Sequence, residues 1–506
     1  MELIETIKDE DIDLSMIREV PFSFSKNNLI LPLKKVNGYL VAAVADDKGI
    51  FAVSELAKKY GLRQRSLKAD KGMLMDAISR VYGQIGTAAE VMDNITGDDL
   101  SSVATEFEKP RDLLELIEDA PIIRLLNALF QQAVKERASD IHIEPYEKEL
   151  EVRMRVDGIM HRALGPPKII QDALISRVKI MANLDIAEKR LPQDGRIQIL
   201  IGGEDIDLRV STIPTVFGER AVLRLLHRKQ GIIGLSEMGF DESERASFEG
   251  LLARTSGIIL VTGPTGSGKT TTLYAALNRI YTEEKNIVTI EDPVEYQLKG
   301  IGQIHVNPKI GLSFASGLRS ILRQDPDIIM VGEIRDYETA EIAIQASLTG
   351  HLVLSTLHTI DASSAVIRLV DMGVEPFLVA SSLSAVVAQR LVRTLCPHCR
   401  EEYTATSAEL LYFSARVSTL YRAKGCQNCR ESGYLGRTGI YELLIVDADI
   451  RQMIANRVSA QDIKNCAVEK GMKTLFTDGL DKVMRGVTTL QEVLRVTQKD
   501  YADISV

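Results

Sequence analysis

The segment GIILVTGPTGSGKTTTLYAAL, residues 257–277, constrains the fold of this 506-residue chain more than any other. An apolar run precedes the pattern GxxxxGK[ST], and a stretch suited to a helix follows it. The glycines allow the turns that point backbone N–H groups at phosphate oxygens, while Lys269 adds a charge and Thr270 offers a hydroxyl to Mg²⁺. The segment therefore predicts a phosphate-binding loop between a strand and a helix. The expected ATP-binding residues are Gly263, Pro264, Thr265, Gly266, Ser267, Gly268, Lys269, Thr270 and Thr271.

Two further apolar runs end in acidic residues. NIVTIEDPVEY places Glu291 after a strand, where a carboxylate can deprotonate the attacking water, although an acidic residue there also serves as a helix cap. DPDIIMVGEIRD places Glu333 after another strand, and we expect this carboxylate to act on Mg²⁺ directly or through water. Simple pairing of Glu333 with Arg335 is the alternative. The division of roles between Glu291 and Glu333 stays open.

The run TGHLVLSTLHT predicts one more strand, with His351 at its start and His358 at its end. A histidine at the active edge of such a sheet can act as a polar sensor of the γ-phosphate. We assign this role to His358, with a purely structural histidine as the alternative. Alternating strands and helices throughout this region predict an α/β domain with a mainly parallel sheet over residues 231–506.

The rest of the chain divides at an acidic segment. Between residues 86 and 120 there are ten acidic and two basic residues, which accounts for −8 of the net charge of −9. Residues 86–119 are therefore expected to be a solvated linker, with a docking tail as the alternative. The flanking patterns predict an α+β partner-docking domain over residues 1–85 and a second, PAS-like α+β domain over residues 120–230. No apolar run is long enough to span a membrane, and the acidic start does not resemble a signal peptide, so we expect a cytoplasmic protein.

Four of the five cysteines form two CxxC pairs that are 26 residues apart. Four thiolates close the tetrahedral coordination sphere of Zn²⁺, so we predict a structural zinc subdomain at about residues 390–440. His398 is expected to be a spectator, and Cys466 a buried helix residue. The predicted zinc ligands are Cys396, Cys399, Cys426 and Cys429.

The order of these motifs resembles the secretion ATPase superfamily of type II and type IV machines. SDIHIEP and RLPQDGRI resemble the domain that precedes the ATPase core in that family, and REVPFSFSKNN near the amino terminus resembles the type II secretion ATPases. The resemblance implies a RecA-like core and a hexamer with ATP bound between two large domains. It also implies that Arg209 and Arg224 reach the phosphates, because a planar guanidinium group can donate two hydrogen bonds to phosphate oxygens. Other matching arginines are Arg319, Arg323, Arg335 and Arg368. For all six of these arginines, surface salt bridges are the alternative.

The same resemblance implies the biological role. Assembly ATPases of the family carry the tetracysteine insertion and retraction ATPases lack it, so we expect a motor for pseudopilus assembly. Its expected partners are inner-membrane secretion platform proteins, bound through the amino-terminal domain, with an anionic phospholipid surface as a further candidate. A type IV pilus assembly ATPase is the nearest alternative. A nucleic-acid translocase is disfavoured because no basic face appears in the composition, so no nucleic-acid partner is expected. A scaffold that binds ATP with little turnover also remains open.

Overall fold

The computed structural model describes residues 22–82, 121–201, 204–227, 233–413 and 417–497, together with positions 4, 7, 12, 13, 16, 17 and 20. The predicted linker, residues 86–119, lies outside the described residues. The chain forms two compact units, Met1–Gln230 and Gly231–Val506. Within the described ranges, no helix combines the length and the apolar character needed to cross a lipid bilayer.

The first module is a three-stranded sheet with helices on both faces. Strands β1 and β2 are antiparallel, and β2 and β3 are parallel. Because successive strand residues face opposite sides, Val41 and Ala43 pack in the cluster with α3, whereas Leu40, Ala42 and Val44 pack in the cluster with α2. This agrees with the predicted α+β fold. The elements are α1 (Phe22–Asn28), β1 (Ile30–Val36), β2 (Tyr39–Val44), α2 (Asp47–Lys59), β3 (Arg63–Lys68) and α3 (Lys71–Tyr82).

The second module is a six-stranded antiparallel sheet in the order β6-β5-β4-β9-β8-β7, with two helices on one face. Strand β4 shows why the faces differ. Its Ile141 and Ile143 point into the apolar cluster under the helices, and the alternating Asp140, His142 and Glu144 lie on the opposite, charged face. The elements are α4 (Pro121–Lys135), β4 (Ala138–Pro145), β5 (Leu150–Val156), β6 (Ile159–Leu164), α5 (Gln171–Met181), β7 (Gln193–Ile201), β8 (Glu204–Thr215) and β9 (Gly218–His227).

The second unit is built on a seven-stranded sheet in the order β12-β11-β13-β14-β10-β15-β18. All neighbouring strands are parallel except β15 and β18, which confirms the mainly parallel sheet. The strands are β10 (Gly257–Thr262), β11 (Ile287–Glu291), β12 (Gly302–His305), β13 (Ile328–Val331), β14 (Leu352–Leu357), β15 (Leu383–Leu395) and β18 (Tyr434–Ile445).

Helices cover both faces of this sheet. In β10, Ile258 and Leu260 belong to one apolar layer, while Ile259 and Val261 belong to the other. A central strand buried on both sides accounts for the uninterrupted apolar run before the glycine-rich loop. The helices are α6 (Glu242–Leu252), α7 (Lys269–Ile280), α8 (Phe314–Ile321), α9 (Tyr337–Leu348), α10 (Ala362–Asp371) and α11 (Pro376–Ser382).

Beyond the sheet, β15 and β18 continue as a long antiparallel pair that leads to the cysteine region and to the last helices. Buried Glu492 accepts hydrogen bonds from Arg393 and Arg495, which ties the final helix to β15. The remaining elements are β16 (Arg400–Thr404), α12 (Ser407–Leu410), β17 (Thr419–Ala423), α13 (Ala448–Ala455), α14 (Ala460–Glu469), α15 (Leu475–Met484) and α16 (Leu490–Thr497).

Candidate active site

The glycine-rich loop, residues 263–268, connects the carboxyl end of β10 to the first turn of α7. Two of its glycines are required by conformation and by space. Gly263 and Gly268 have φ angles of +153° and +88°. A Cβ at Gly263 would lie 2.5 Å from both Gln389 O and Ser267 Oγ, and a Cβ at Gly268 would lie 2.8 Å from Gln389 Nε2. The loop therefore keeps its shape only with glycine at both ends.

Lys269 lies at the start of α7 with its ammonium group folded back over this loop. Its Nζ donates to the carbonyl oxygens of Gly263, at 2.9 Å, and Pro264, at 3.1 Å. Burial lowers the pKa of the Lys269 side chain to about 8, with Glu333 opposing this effect and Arg390 adding to it. An ammonium group held in this position can bind an anion at the loop without moving.

Three predicted residues come together at this edge of the sheet. His358 follows β14, and its Nδ1 lies 3.5 Å from Lys269 Nζ, while its Nε2 lies 3.4 Å from a carboxylate oxygen of Glu333. The other oxygen of Glu333 accepts from Arg335, so the alternative pairing considered for this carboxylate also occurs. The arrangement places a carboxylate, an imidazole and an ammonium beside the loop, within reach of a bound phosphate.

The groups suited to Mg²⁺ are oxygen donors at the same edge. Thr270 lies in the first turn of α7 with an exposed side chain, so its hydroxyl is accessible to a hydrated cation. Glu333 supplies a carboxylate nearby. A hydroxyl and a carboxylate that leave several positions for water and phosphate oxygens fit the ligand preference of Mg²⁺.

Glu291 occupies a different setting from Glu333. It ends β11 and is buried, and its carboxylate accepts hydrogen bonds from three neutral donors. Thr289 Oγ1 and Gln303 Nε2 donate to one oxygen, at 2.5 and 3.1 Å, and the Tyr274 hydroxyl donates to the other. The structure does not place Glu291 in a hydrogen bond or ion pair with Lys269, although its strand ends at the same sheet edge.

The two histidines lie at opposite ends of β14. His351 precedes the strand, and its Nδ1 contacts Ala346 O at 2.8 Å and Thr349 Oγ1 at 3.2 Å, so its surroundings are those of a structural residue at the turn after α9. His358 follows the last residue of the strand and reaches the loop. Only the second of the two histidines therefore joins the candidate site.

Sequence reasoning missed Gln389 and Arg390, which lie beside the loop on β15. Arg390 Nη2 donates to Ile360 O at 2.6 Å, and Arg390 Nη1 lies 3.1 Å from the position of a Cβ on Gly263. The available signal was the polar pair that interrupts the apolar run AVVAQRLV, at the level where the parallel neighbour β10 ends. Both residues lie in the middle of this longer strand, away from the strand ends where the predicted site residues lie.

Arg209 and Arg224 lie side by side on the charged face of the second module, as direct partners across β8 and β9. Arg224 Nε donates to the buried carboxylate of Asp140 at 3.0 Å, and Arg155 Nε lies 3.6 Å from the same carboxylate. Arg196 pairs with Asp207 in the adjacent strands. The face thus presents a row of guanidinium groups, and two buried aspartates hold those of Arg155, Arg196 and Arg224.

The other arginines implied by the family resemblance have more ordinary surroundings. Arg319 pairs with Glu338, and Arg323 Nη1 donates to Arg319 O at 2.9 Å on the same surface. Arg335 pairs with Glu333, and Arg368 is exposed on α10. Of these four residues, only Arg335 contacts a residue of the candidate site.

The four predicted zinc ligands form one cluster in which all Sγ atoms lie within 4.8 Å of one another. Three separations are 3.6 Å (Cys399–Cys429), 3.7 Å (Cys426–Cys429) and 3.9 Å (Cys396–Cys426). A tetrahedral site with Zn–S bonds of about 2.3 Å requires S–S distances of about 3.8 Å. The backbone N–H groups of Cys426 and Gly433 donate to Cys429 Sγ, as expected around a thiolate. The donor set fits zinc.

The remaining predictions around the cysteines concern His398 and Cys466. His398 is exposed and is not part of the thiol cluster. Cys466 lies on α14 as predicted, but it is half-buried rather than buried, because this helix packs against the core cluster along one side only. Neither residue contributes to the site.

A mainly parallel sheet that carries this loop at the end of a central strand, with acidic residues ending neighbouring strands, defines a RecA-like P-loop nucleotide-binding core. Two solved structures share the fold. The pilus retraction motor PilT with bound ADP is 26% identical, with a TM-score of 0.50 over 73% of this chain and 96% of that chain. The ATPase DotB of Legionella pneumophila is 21% identical, with a TM-score of 0.56 over 74% of this chain and 96% of that chain.

Residues 115–495 match the Type II/IV secretion system protein family, and the chain belongs to that family. Residues 4–88 match the MshEN domain. The chain is 49% identical to type II secretion system protein E of Pseudomonas aeruginosa, over 96% of this chain and 97% of that protein. It is 47% identical to type II secretion system ATPase E of Vibrio cholerae, with the same coverage, and 44% identical to the type IV pilus assembly ATPase PilB of Myxococcus xanthus, over 98% of this chain and 88% of that protein.

Proposed function

We propose that this chain is a cytoplasmic, Mg²⁺-dependent ATPase that works as a hexamer and powers pseudopilus assembly and protein export through the type II secretion system. The observation that carries the proposal is the cluster of Lys269, Glu333 and His358 beside the phosphate loop. Similarity to type II secretion system proteins E over nearly the whole chain supports the choice of machine.

In the proposed reaction, water attacks the γ-phosphorus of ATP and releases ADP and phosphate. Lys269 binds β- and γ-phosphate oxygens, and Glu291 acts as the general base for the water. Thr270 and Glu333 would hold Mg²⁺, which when bound neutralises charge on the phosphate oxygens. His358 links Lys269 to Glu333, so it is suited to sense whether the γ-phosphate is present.

We further propose that Arg209 and Arg224 act on the phosphates of a nucleotide bound by the core. Both arginines lie on strands rather than on loops, and Asp140 accepts a hydrogen bond from Nε of Arg224, so the two terminal nitrogens are not used in that bond. A guanidinium group held in this way can donate two parallel hydrogen bonds to phosphate oxygens. Closure of the two large domains around ATP would then couple hydrolysis to movement.

We assign the proposed roles to the domains predicted from the sequence. Residues 1–85 dock on inner-membrane platform proteins, with an anionic phospholipid surface as a further contact, and residues 86–119 act as a linker. Residues 120–230 supply the arginines, and residues 231–506 hydrolyse ATP. One Zn²⁺ bound by the four cysteines would stabilise the subdomain at about residues 390–440.

A type IV pilus assembly ATPase is the second candidate, since the similarity to PilB also covers almost the whole chain. Deletion of the gene in its native host separates the two. Our proposal predicts that exported proteins accumulate inside the cells while surface pili are unchanged, and that the wild-type gene, but not a Lys269→Ala variant, restores export. Loss of pili with normal export would overturn the choice of machine.

A further inference from the structure

Strand β15 packs against the phosphate loop at both ends of the loop. A Cβ on Gly263 would lie 2.5 Å from Gln389 O, and a Cβ on Gly268 would lie 2.8 Å from Gln389 Nε2 and 3.6 Å from Leu391. The loop backbone therefore lies close to β15 at both glycines. One residue, Gln389, therefore contacts the first and the last glycine of the loop.

The side chain of Gln389 is only partly satisfied in its hydrogen bonding. It is 1% exposed, and its Oε1 accepts from Thr272 Oγ1 at 2.6 Å. Its Nε2 is buried and has no hydrogen-bond partner in the part of the chain that the structure describes. Buried amide donors in native proteins nearly always find an acceptor, because leaving one unpaired is costly.

A second unpaired polar group lies on the loop itself. Ser267 is 3% exposed, and its hydroxyl also lacks a partner among the described residues. Ser267 Oγ and Gln389 O lie 2.5 Å from the same point, the Cβ position of Gly263, so the serine hydroxyl faces the strand that carries Gln389. Two polar groups that are unpaired within the described ranges therefore lie on the loop and on the strand that packs against it.

We propose that Gln389 is a positioning residue of the nucleotide site, whose side-chain amide gains its hydrogen-bond acceptor only when a nucleotide phosphate orders the loop. The inference rests on the proposed binding of ATP at this loop. Because the arrangement in the structure leaves the amide unpaired among the residues described, an arrangement that offers it an acceptor is favoured, and we place that acceptor in the phosphate-bound loop. The residue acts through the loop backbone and Ser267, and it does not touch the reacting atoms.

Two nearly isosteric variants of the full-length protein separate this role from ordinary packing. Gln389→Met removes the amide donor together with the acceptor of the Thr272 bond. Thr272→Val removes that bond and a 3.3 Å contact of the hydroxyl with Gly268 O, and it keeps the amide donor of Gln389. The probe is Mg²⁺·ADP, with its Kd measured by calorimetry and the Tm of the free protein measured in parallel. Steady-state ATP hydrolysis then compares KM with kcat.

We expect Gln389→Met to weaken ADP binding about tenfold, equivalent to ~1.4 kcal/mol. The Tm of its nucleotide-free form should fall by no more than that of Thr272→Val, because both variants lose the Thr272–Gln389 hydrogen bond. In ATP hydrolysis its KM should rise more than its kcat falls. Thr272→Val should lower the Tm of the free protein and change the Kd by less than about twofold.

Equal weakening of ADP binding by both variants would overturn the inference, because Gln389 would then act only through Thr272. An unchanged Kd in Gln389→Met, with normal binding by the wild type, would overturn it as well. Failure of the wild-type protein to bind ADP would instead remove the proposed ATPase function, and with it the basis of the inference.

Discussion

Replacing Glu244 with Gln should stabilise the protein at alkaline pH and not at acidic pH. Glu244 lies in the first turn of α6, where burial and then the nearby Asp478 raise the pKa of its carboxyl from 4.5 to about 7. One of its oxygens, Oε2, is buried without a hydrogen-bond partner among the described residues. Since the folded pKa lies above the unfolded one, the stability tied to protonation is complete below about 4.5 and is lost as the pH rises through about 7.

The size of this effect follows from the two pKa values. At about 1.4 kcal/mol per pH unit, ionisation of Glu244 in the folded state costs at most ~3 kcal/mol at pH 8. Solvent screening at this partly exposed helix end reduces the expected value to ~1–2 kcal/mol. For a unit of this size, we therefore expect Glu244→Gln to raise the Tm at pH 8 by roughly 2–6 °C.

The assay is thermal unfolding of the wild type and the variant at pH 5 and pH 8, with Asp241→Asn as a matched control. The hydrogen bond from Lys473, then that from the Ser243 N–H, lowers the pKa of Asp241 to about 2, so its contribution is present at both pH values. Asp241→Asn should thus destabilise the protein similarly at both. A Tm change in Glu244→Gln that is equal at pH 5 and pH 8 would refute the reasoning.

Three further predictions concern the site and the metal. Arg209→Ala should reduce phosphate release at least about tenfold with ADP affinity nearly unchanged, since a phosphate-directed guanidinium matters most in the transition state; unchanged turnover would exclude Arg209. Cys426→Ser should lose the zinc that elemental analysis finds at near one per chain in the wild type; a zinc-free wild type would mean another use for the cysteines. Glu291→Gln should lower kcat about 100-fold at an unchanged Mg²⁺ requirement, whereas Glu333→Gln should raise the Mg²⁺ concentration for half-maximal activity; the opposite pattern would exchange the two roles.

The parts of the fold that were predictable from sequence are those governed by local pattern. The apolar run before Gly263 and the helix after Lys269 follow from residues within one segment, and the structure has both. The thiol cluster was also predictable, because two CxxC turns restrict how the four sulfur atoms can be arranged. In these cases the residues that decide the geometry are close together in sequence.

The surroundings of Glu291 were not predictable in the same way. Two of its three hydrogen-bond donors come from α7, 17 residues earlier, and from β12, 12 residues later, and only tertiary packing brings them to one carboxylate. Sequence pattern placed Glu291 at a strand end correctly, yet it gave no sign that Tyr274 and Gln303 would enclose the side chain. Such a pocket depends on tertiary packing, which local propensity does not encode.

Gln389 and Arg390 are a second case in which local sequence pattern does not predict a contact with the site. Both lie in the middle of a 13-residue strand, so a search for polar residues at strand ends passes over them. They reach the loop because β10 ends opposite Ala388, which leaves the continuing β15 beneath the glycines. The relative lengths of two neighbouring strands decide this contact.

The central claim, that the loop with Lys269 is an ATP-hydrolysing site, is tested most directly by phosphate release from the purified full-length protein. The wild type should hydrolyse ATP, and Lys269→Ala should lower the rate at least about 100-fold, since removing one preorganised charge partner of the transferred phosphate costs this much or more. Lys285→Ala, which alters an exposed lysine beyond the end of α7, should retain the wild-type rate. Hydrolysis by Lys269→Ala at a rate close to that of Lys285→Ala would contradict the account.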